Sequence, residues 1–312
     1  MNKNHTEVGK LMKITEETLK NWCVPASDTE DEKINNAISM IKDAVKSTDL
    51  DGLIIEVFVQ GSYANNTNVR TSSDVDVCIM LKNTFYTEYP HGLSNKDYGF
   101  INGTISFEEY KNSVVKALIS KFGSESISVG NKSVKIKSNT YHVEADAVIA
   151  FMLKNFNIIH SKDPNRYVEG TRFIAKDCSI VTNYPKDHIN NGIAKNNHTN
   201  RDYKKLVRIF KKIRDLMVDD GEIDENKITS FLVECLVWNI PDFTITGFLT
   251  WTETVKAAII YVYNAINDKK HIEWREVSEH LYLFKDRKWT DEDAKDFMYR
   301  AWNYLGYADE SN

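Results

Sequence analysis

Residues 53–81 read LIIEVFVQGSYANNTNVRTSSDVDVCIML, and this stretch decides the fold. Residues 53–60 and 75–81 are rich in β-branched and aromatic side chains, the composition of strands. The polar segment between them opens on Gly61-Ser62. Within Ser73-Asp74-Val75-Asp76-Val77, residues two apart point to the same side of a strand. Asp74 and Asp76 therefore project side by side while Val75 and Val77 face a core. Two parallel carboxylates repel, and burying them unpaired is costly. A divalent cation removes the conflict. Mg²⁺ takes hard oxygen ligands, commonly one or two carboxylates together with substrate phosphates. Two such ions can activate an attacking hydroxyl and stabilise a leaving pyrophosphate.

An Asp-x-Asp pair alone also describes a solvent-facing strand. Gly61-Ser62, directly after a strand and about a dozen residues upstream, narrows the choice. Glycine lets the backbone approach a phosphate closely. The following amides and the Ser62 hydroxyl can hold a triphosphate at a helix N-terminus. A third acid is expected from a neighbouring strand. Residues 141–149, YHVEADAVI, offer Glu144 and Asp146 on one face. Asp146 is preferred, because the apolar run after it suits a strand entering the core, and Glu144 is the alternative. A third carboxylate there would lower the pKa of the acceptor hydroxyl through the metal.

The rest of the chain frames this centre. A helix over 7–22 carries Val8, Leu11, Met12, Ile14, Leu19 and Trp22 as its apolar stripe, and a second runs to about Ser47. Ser27/Glu30 or Thr29/Glu32 fits the capping box that starts the second. A loop is expected over 83–104, a helix over 106–122, and strands over 126–129, 133–136 and 141–151. Helices follow at 201–219, 227–239, 251–267, 273–281 and 291–304. A mixed front half and a helical rear half imply two lobes joined near 160–200.

Charge and composition exclude several classes. The 312 residues hold 40 Lys+Arg against 45 Asp+Glu, a net charge of −5, with a pI near 5.9 and a mean hydropathy of −0.45. No bulk basic field is present to hold duplex nucleic acid by counterion release. No charge-free apolar run approaches the roughly 20 residues of a membrane span, and the polar start MNKNHTEVGK lacks a secretory h-region. Cys23, Cys78, Cys178 and Cys235 are far apart and form no C-x-x-C pair, which suits free thiols in a reducing cytosol. His188 and His198 lack the spacing of a metal pair and read as surface or hinge histidines.

Two rear segments add candidates. On a helix over 201–219, Leu206, Ile209, Phe210, Ile213, Leu216 and Met217 form a core stripe. Arg201, Lys205, Arg208 and Lys212 lie within roughly 60° on its flank. Such a basic stripe is either a solvated face or a triphosphate contact. Lys205 and Arg208 are the candidates for the γ- and β-phosphates, and Ser230 adds a hydroxyl. Asn183 can offer a donor and an acceptor to a base edge, or simply cap a loop. Tyr184, or Tyr63, could stack on a base.

Taken together, Gly61-Ser62, Thr67, Asp74-x-Asp76 and Asp146 resemble the signature of the polymerase-β-like nucleotidyltransferase superfamily. Asn183-Tyr184-Pro185-Lys186-x-His188, Asn191-Gly192, Lys195-Asn196 and residues 203–211 (YKKLVRIFK) resemble the bacterial cGAS/DncV-like nucleotidyltransferases, or CD-NTases, as do residues 228–236 (ITSFLVECL). The similarity is nearest the CdnE-type clade and covers roughly residues 20–240. It implies an α+β fold: a nucleotidyltransferase lobe with a mixed sheet over 1–160, N-terminal helices spanning both lobes, a helical C-terminal lobe over 161–312, and an active cleft between them. It implies Asp74, Asp76 and Asp146 as metal acids, Gly61 and Ser62 as the triphosphate loop, and Asn183 as a residue that goes with uracil-type recognition. The implied activity is synthesis of a cyclic dinucleotide, pyrimidine-containing, from NTPs such as ATP, GTP and UTP. The expected cofactor is a pair of Mg²⁺ ions, with Mn²⁺ as a substitute. The setting is anti-phage CBASS signalling by a cytoplasmic monomer that needs no nucleic acid or membrane and reaches its effector through the diffusible product. An RNA-tailing or small-molecule-modifying nucleotidyltransferase, or an inactive nucleotide-binding module, are the rival readings.

Overall fold

The computed structural model describes residues 14–25, 28–46, 52–69 and 74–308. They form two compact units. One is Ala26–Asn191; the other joins the segment through Pro25 to Gly192–Asn312.

The first unit is built on one seven-stranded mixed sheet. Its strands are β1 (Ile55–Val59), β2 (Val75–Glu88), β3 (Ile127–Val129), β4 (Val134–Ile136), β5 (Ala145–Asn155), β6 (Val168–Ile174) and β7 (Ile180–Asn183). The order runs β1-β2-β5-β4-β3, with β6 also on β5 and β7 on β6. Only β2 and β5 are parallel. A parallel pair cannot be joined by a tight turn and needs a crossover. The connection here contains α4 (Phe107–Phe122), whose start is fixed by a Ser106/Glu109 capping box. Val75, Val77, Ile79 and Leu81 are fully buried. They share a core with Tyr110, Val114 and Leu118 of α4 and with Ile34, Ala37 and Ile41 of α2 (Asp28–Lys46). The Tyr110 hydroxyl donates to the Ile79 carbonyl at 3.2 Å, so this buried polar group is satisfied.

The opposite face of the sheet carries charge. Lys186, in the first turn of α5 (Pro185–His198), stands 2.8 Å from Glu56 of β1 and 2.7 Å from Glu169 of β6. Lys82 of β2 reaches the same Glu56 at 3.1 Å. Burial acts to raise the Glu56 carboxyl, but hydrogen bonds from Lys186 and Lys82 outweigh it and hold it below its ordinary value.

The second unit packs α1 (Glu16–Trp22), α6 (Asp202–Asp219), α7 (Ser230–Trp238), α8 (Asp242–Thr246), α9 (Trp251–Asn267) and α10 (Asp291–Tyr304). Leu206, Ile209, Phe210, Ile213 and Met217 of α6 are fully buried in its core, as is Leu19 of α1. The Glu16 carboxylate accepts from the Trp251 and Thr252 amides at 3.0 and 2.8 Å, so α1 caps the exposed N–H groups that open α9. Among the described residues no helix is long and apolar enough to cross a membrane.

Several expectations change. Residues 83–88 are not loop: β2 continues to Glu88, with a register shift between Leu81 and Phe85 that absorbs the polar Lys82-Asn83 step. Residues 160–200 are not a plain junction, since β6 and β7 extend the sheet from β5. The units accordingly divide at Asn191/Gly192 and not at 160, and α1 and α2 fall in different units. No helix forms over 273–281, where Arg275 and Tyr282 make an isolated antiparallel bridge. Val8, Leu11, Met12 and the Ser27 cap lie outside the described residues.

Lys186→Met removes the nearer of the two cations that Glu56 and Glu169 share. At neutral pH this should cost about 1–2 kcal/mol in chemical denaturation, between the values of exposed and buried pairs. Because the folded Glu56 pKa is depressed, its contribution is present above the unfolded value and lost as pH falls through the folded one. The gap between native protein and variant should therefore shrink on acidification through the carboxylate range.

Candidate active site

The register of β2 on β5 sets the site. Val75 lies opposite Ala145, and Asp76 lies opposite Asp146. Val75 and Ala145 are fully buried, so the pleat turns both aspartates to the other face, on strands about 4.8 Å apart. Asp74 and Glu144 immediately precede β2 and β5, and the Val75 amide donates to the Glu144 carbonyl at 3.0 Å. Four acids thus gather where the parallel pair begins.

Gly61 closes one side. The Gln60 amide donates to the Asp76 carbonyl at 2.9 Å, which draws the end of β1 onto β2. Gly61 opens α3 (Gly61–Ala64) with φ +68, and a Cβ there would stand 2.1 Å from Asp76 Oδ2. Glycine is required both for the left-handed backbone and for the approach to the carboxylate. Asn65 Nδ2 donates to the Gly61 carbonyl and the Thr67 amide to the Ser62 carbonyl, each at 2.9 Å, so the turn after the glycine is tied back on itself.

Lys135 and Ser133 close another side, and neither was singled out from the sequence. Lys135 of β4 lies opposite Asp146. Its Nζ stands 3.2 Å from Asp74 Oδ2 and 3.2 Å from Glu144 Oε1. Those bonds, to Glu144 and then Asp74, raise the Lys135 pKa. Ser133 Oγ donates to Asp146 Oδ1 at 3.1 Å. Burial lifts the Asp146 carboxyl above its ordinary value. The Lys135 charge and the Ser133 bond oppose this, while Asp74 and Glu144 add to it. The period-two spacing of Ser133 and Lys135 was the available signal; what hid it was their strand partner. Among the described residues no three His, Cys, Asp or Glu side chains converge as a ready metal cage. The cation among these acids is the Lys135 ammonium. The donor chemistry, all carboxylate oxygen around a point already held by a positive charge, still fits a hard divalent ion.

The other candidates separate. Asn183 ends β7 opposite Thr171, which lies opposite Met152, so Asn183 shares the Asp146 face further along the sheet. Tyr184 is 3% exposed, and its hydroxyl accepts from Asn155 Nδ2 at 2.8 Å. Its ring packs on Gly170, where a Cβ would approach it to 2.9 Å. Tyr63 is partly buried against the sheet core.

In the helical unit, Lys205 pairs with Asp202 at 2.9 Å, and Ser230 is the first residue of α7. Arg208 is turned inward. It is 5% exposed, and its guanidinium donates through Nε, at 2.8 Å, and through Nη2 to the Cys23 carbonyl that follows α1. A carbonyl at a helix C-terminus carries partial negative charge, so Arg208 fastens α1 to α6.

A mixed sheet that sets two aspartates in register beside a glycine turn is the sheet of a nucleotidyltransferase. The family model described as a nucleotidyltransferase domain matches residues 38–137. The model of the cGAS/DncV-like nucleotidyltransferase C-terminal helical domain matches residues 190–306. The chain belongs to the cGAS/DncV-like nucleotidyltransferases. It is 42% identical over 300 residues to the cyclic dipyrimidine nucleotide synthase CdnE of Cecembia lonarensis, covering 95% of this chain and 100% of that one. The structure of Elizabethkingia meningoseptica CdnE cyclic dinucleotide synthase with GTP and Apcpp superposes with a TM-score of 0.79 at 34% identity, covering 94% of this chain and 99% of that one. The structure of Rhodothermus marinus CdnE c-UMP-AMP synthase with Apcpp and Upnpp gives a TM-score of 0.84 at 27% identity, covering 95% and 97%. Enzymes of this class generally need divalent metal ions.

Gly61→Ala should cost about 1–2 kcal/mol of stability for its left-handed backbone. By pushing the Asp76 carboxylate aside it should lower nucleotidyl transfer at least about tenfold; melting curves and product assays on one preparation separate the two effects. Arg208→Gln should lower stability by about 2 kcal/mol and leave the KM for NTP unchanged. Lys205→Gln loses only a partly exposed ion pair with Asp202 and should lower stability by less than about 1 kcal/mol.

Proposed function

We propose that this chain is a metal-dependent cyclic dinucleotide synthase. The observation that carries the reading is the in-register pair Asp76–Asp146 with Asp74 beside it and Gly61 against Asp76. Asp74, Asp76 and Asp146 would hold the divalent cations, two Mg²⁺ ions with Mn²⁺ as a substitute, which supply charge neutralisation at the reacting phosphate. Gly61 and Ser62 present backbone amides and a hydroxyl to a triphosphate; Lys205 and Ser230 are assigned to nucleotide binding as a separate part of this reading. In each transfer a ribose hydroxyl oxygen bonds to an α-phosphorus, the bond to the β-phosphate breaks, and pyrophosphate leaves. A second such transfer closes the ring. Arg208 and Tyr184 are given structural roles in this reading.

The product contains a pyrimidine. Supporting this are Asn183, whose amide can read a uracil edge from the Asp146 face, and the likeness to the cyclic dipyrimidine synthase of Cecembia lonarensis. The enzyme works as a cytoplasmic monomer on free NTPs, and its diffusible product carries an anti-phage signal to an effector.

Incubation with ATP, GTP, CTP and UTP and Mg²⁺, read by mass spectrometry, should give a phosphatase-resistant cyclic dinucleotide containing at least one pyrimidine. Linear tails on an added RNA, or nucleotidylation of a small acceptor only, would sink the reading. Asp146→Asn should abolish the product. It should not lower the melting temperature without metal, because a carboxylate crowded by Asp74 and Glu144 becomes a neutral amide.

A further inference from the structure

Among the described residues, Lys135 is the one in the acid cluster whose charge opposes the others, and its place is specific. The β3–β4 hairpin sets it directly across from Asp146. Its ammonium divides itself between two carboxylates, Asp74 and Glu144, at equal distances of 3.2 Å. Asp74 is among the acids assigned above to the divalent cation; Glu144 is not. The three side chains are 50%, 31% and 36% exposed, so dissolved ions reach them.

An ammonium and a divalent cation satisfy the same oxygens of Asp74, and like charges at contact distance repel. With the ammonium on Asp74 Oδ2, an ion on the same carboxylate would stand close to it, and each weakens the other's hold. We propose that Lys135 is a built-in counter-ion: it neutralises the acids in the metal-free protein and releases Asp74 when the divalent cation binds, while Glu144 keeps its ammonium beside the site. This rests on the metal reading of Asp74, Asp76 and Asp146.

Three features fit the role. A lysine ammonium is a compact charge on a flexible stem, so it can swing from one carboxylate to another; a guanidinium would lock onto one in a fork. Glu144 gives the released ammonium a partner, so no charge is left alone. Asp146 keeps its Ser133 hydrogen bond when Lys135 moves, so the acid across from the lysine stays tethered while the charge beside it changes. The resting site is thereby protected from its own repulsion, and metal affinity is set by an exchange of cations.

The test is Mn²⁺ binding to the full chain without nucleotide, followed by electron paramagnetic resonance of the free ion. Lys135→Gln should bind Mn²⁺ roughly three- to tenfold more tightly, the range expected for losing a partly exposed competing ion pair. It should also melt at a lower temperature when metal is absent. Lys135→Arg keeps the charge and should bind no more tightly than the native protein. Unchanged or weaker Mn²⁺ binding by Lys135→Gln overturns the proposal. So does a raised KM for NTP with Mn²⁺ affinity unchanged, which would give Lys135 to the nucleotide. Asp74→Asn combined with Asp76→Asn is the separate control. If that variant binds Mn²⁺ as the native chain does, the metal reading itself fails, whatever Lys135 does.

Discussion

Carboxylates of like charge are forced together at the start of a parallel strand pair, and much of the sheet unit answers to that repulsion. Asp76 and Asp146 are opposite one another because Val75 and Ala145 are buried opposite one another. A one-residue slip would send both acids into the core and both small apolar residues to the surface. The apolar face of the sheet therefore enforces the crowding on the other face. Gly61 yields space to Asp76, Ser133 donates to Asp146, and Lys135 brings the positive charge.

Charge is handled differently elsewhere in the molecule. Lys186 and Lys82 balance Glu56 and Glu169. In the helical unit, Lys211 and Glu234 meet at 2.5 Å in the core, Arg208 binds a helix-end carbonyl, and Glu16 caps α9. In each of these places the charge is met by an opposite charge or by the partial charge of a helix end, and the groups serve to join elements. At the start of β2 and β5, among the described residues, the acids outnumber the cations and negative charge is left in surplus.

How much of this was legible depended on distance along the chain. Asp74, Asp76 and Asp146 could be found because period-two alternation is local, and because the buried runs VCIML and AVIAF point the strands inward. Gly61 could be found because it follows a strand directly. Lys135 could not, since its meaning comes from partners 61 and 9 residues away. Arg208 sat on the expected flank of its helix, but the carbonyl it binds is 185 residues distant. Tyr184 followed a residue on the active face and so was itself turned to the other one. The strand beyond Leu81 was hidden by Lys82-Asn83, whose polarity imitates a turn while the register shift keeps the pairing.

Alternation and composition alone determined the strands that carry the acids, which face of each is apolar, and which acids turn away from the core, because these follow from the covalent geometry of a pleated chain. They also determined the stripe by which α6 enters its core. Tertiary structure alone decided that β2 and β5 lie in parallel register, that the units divide at 191, and which basic side chains join elements. It also decided that Lys135 is the cation among the acids. Those outcomes depend on pairing between segments far apart in the chain, where packing and the pairing of buried charge overrule what any short stretch prefers.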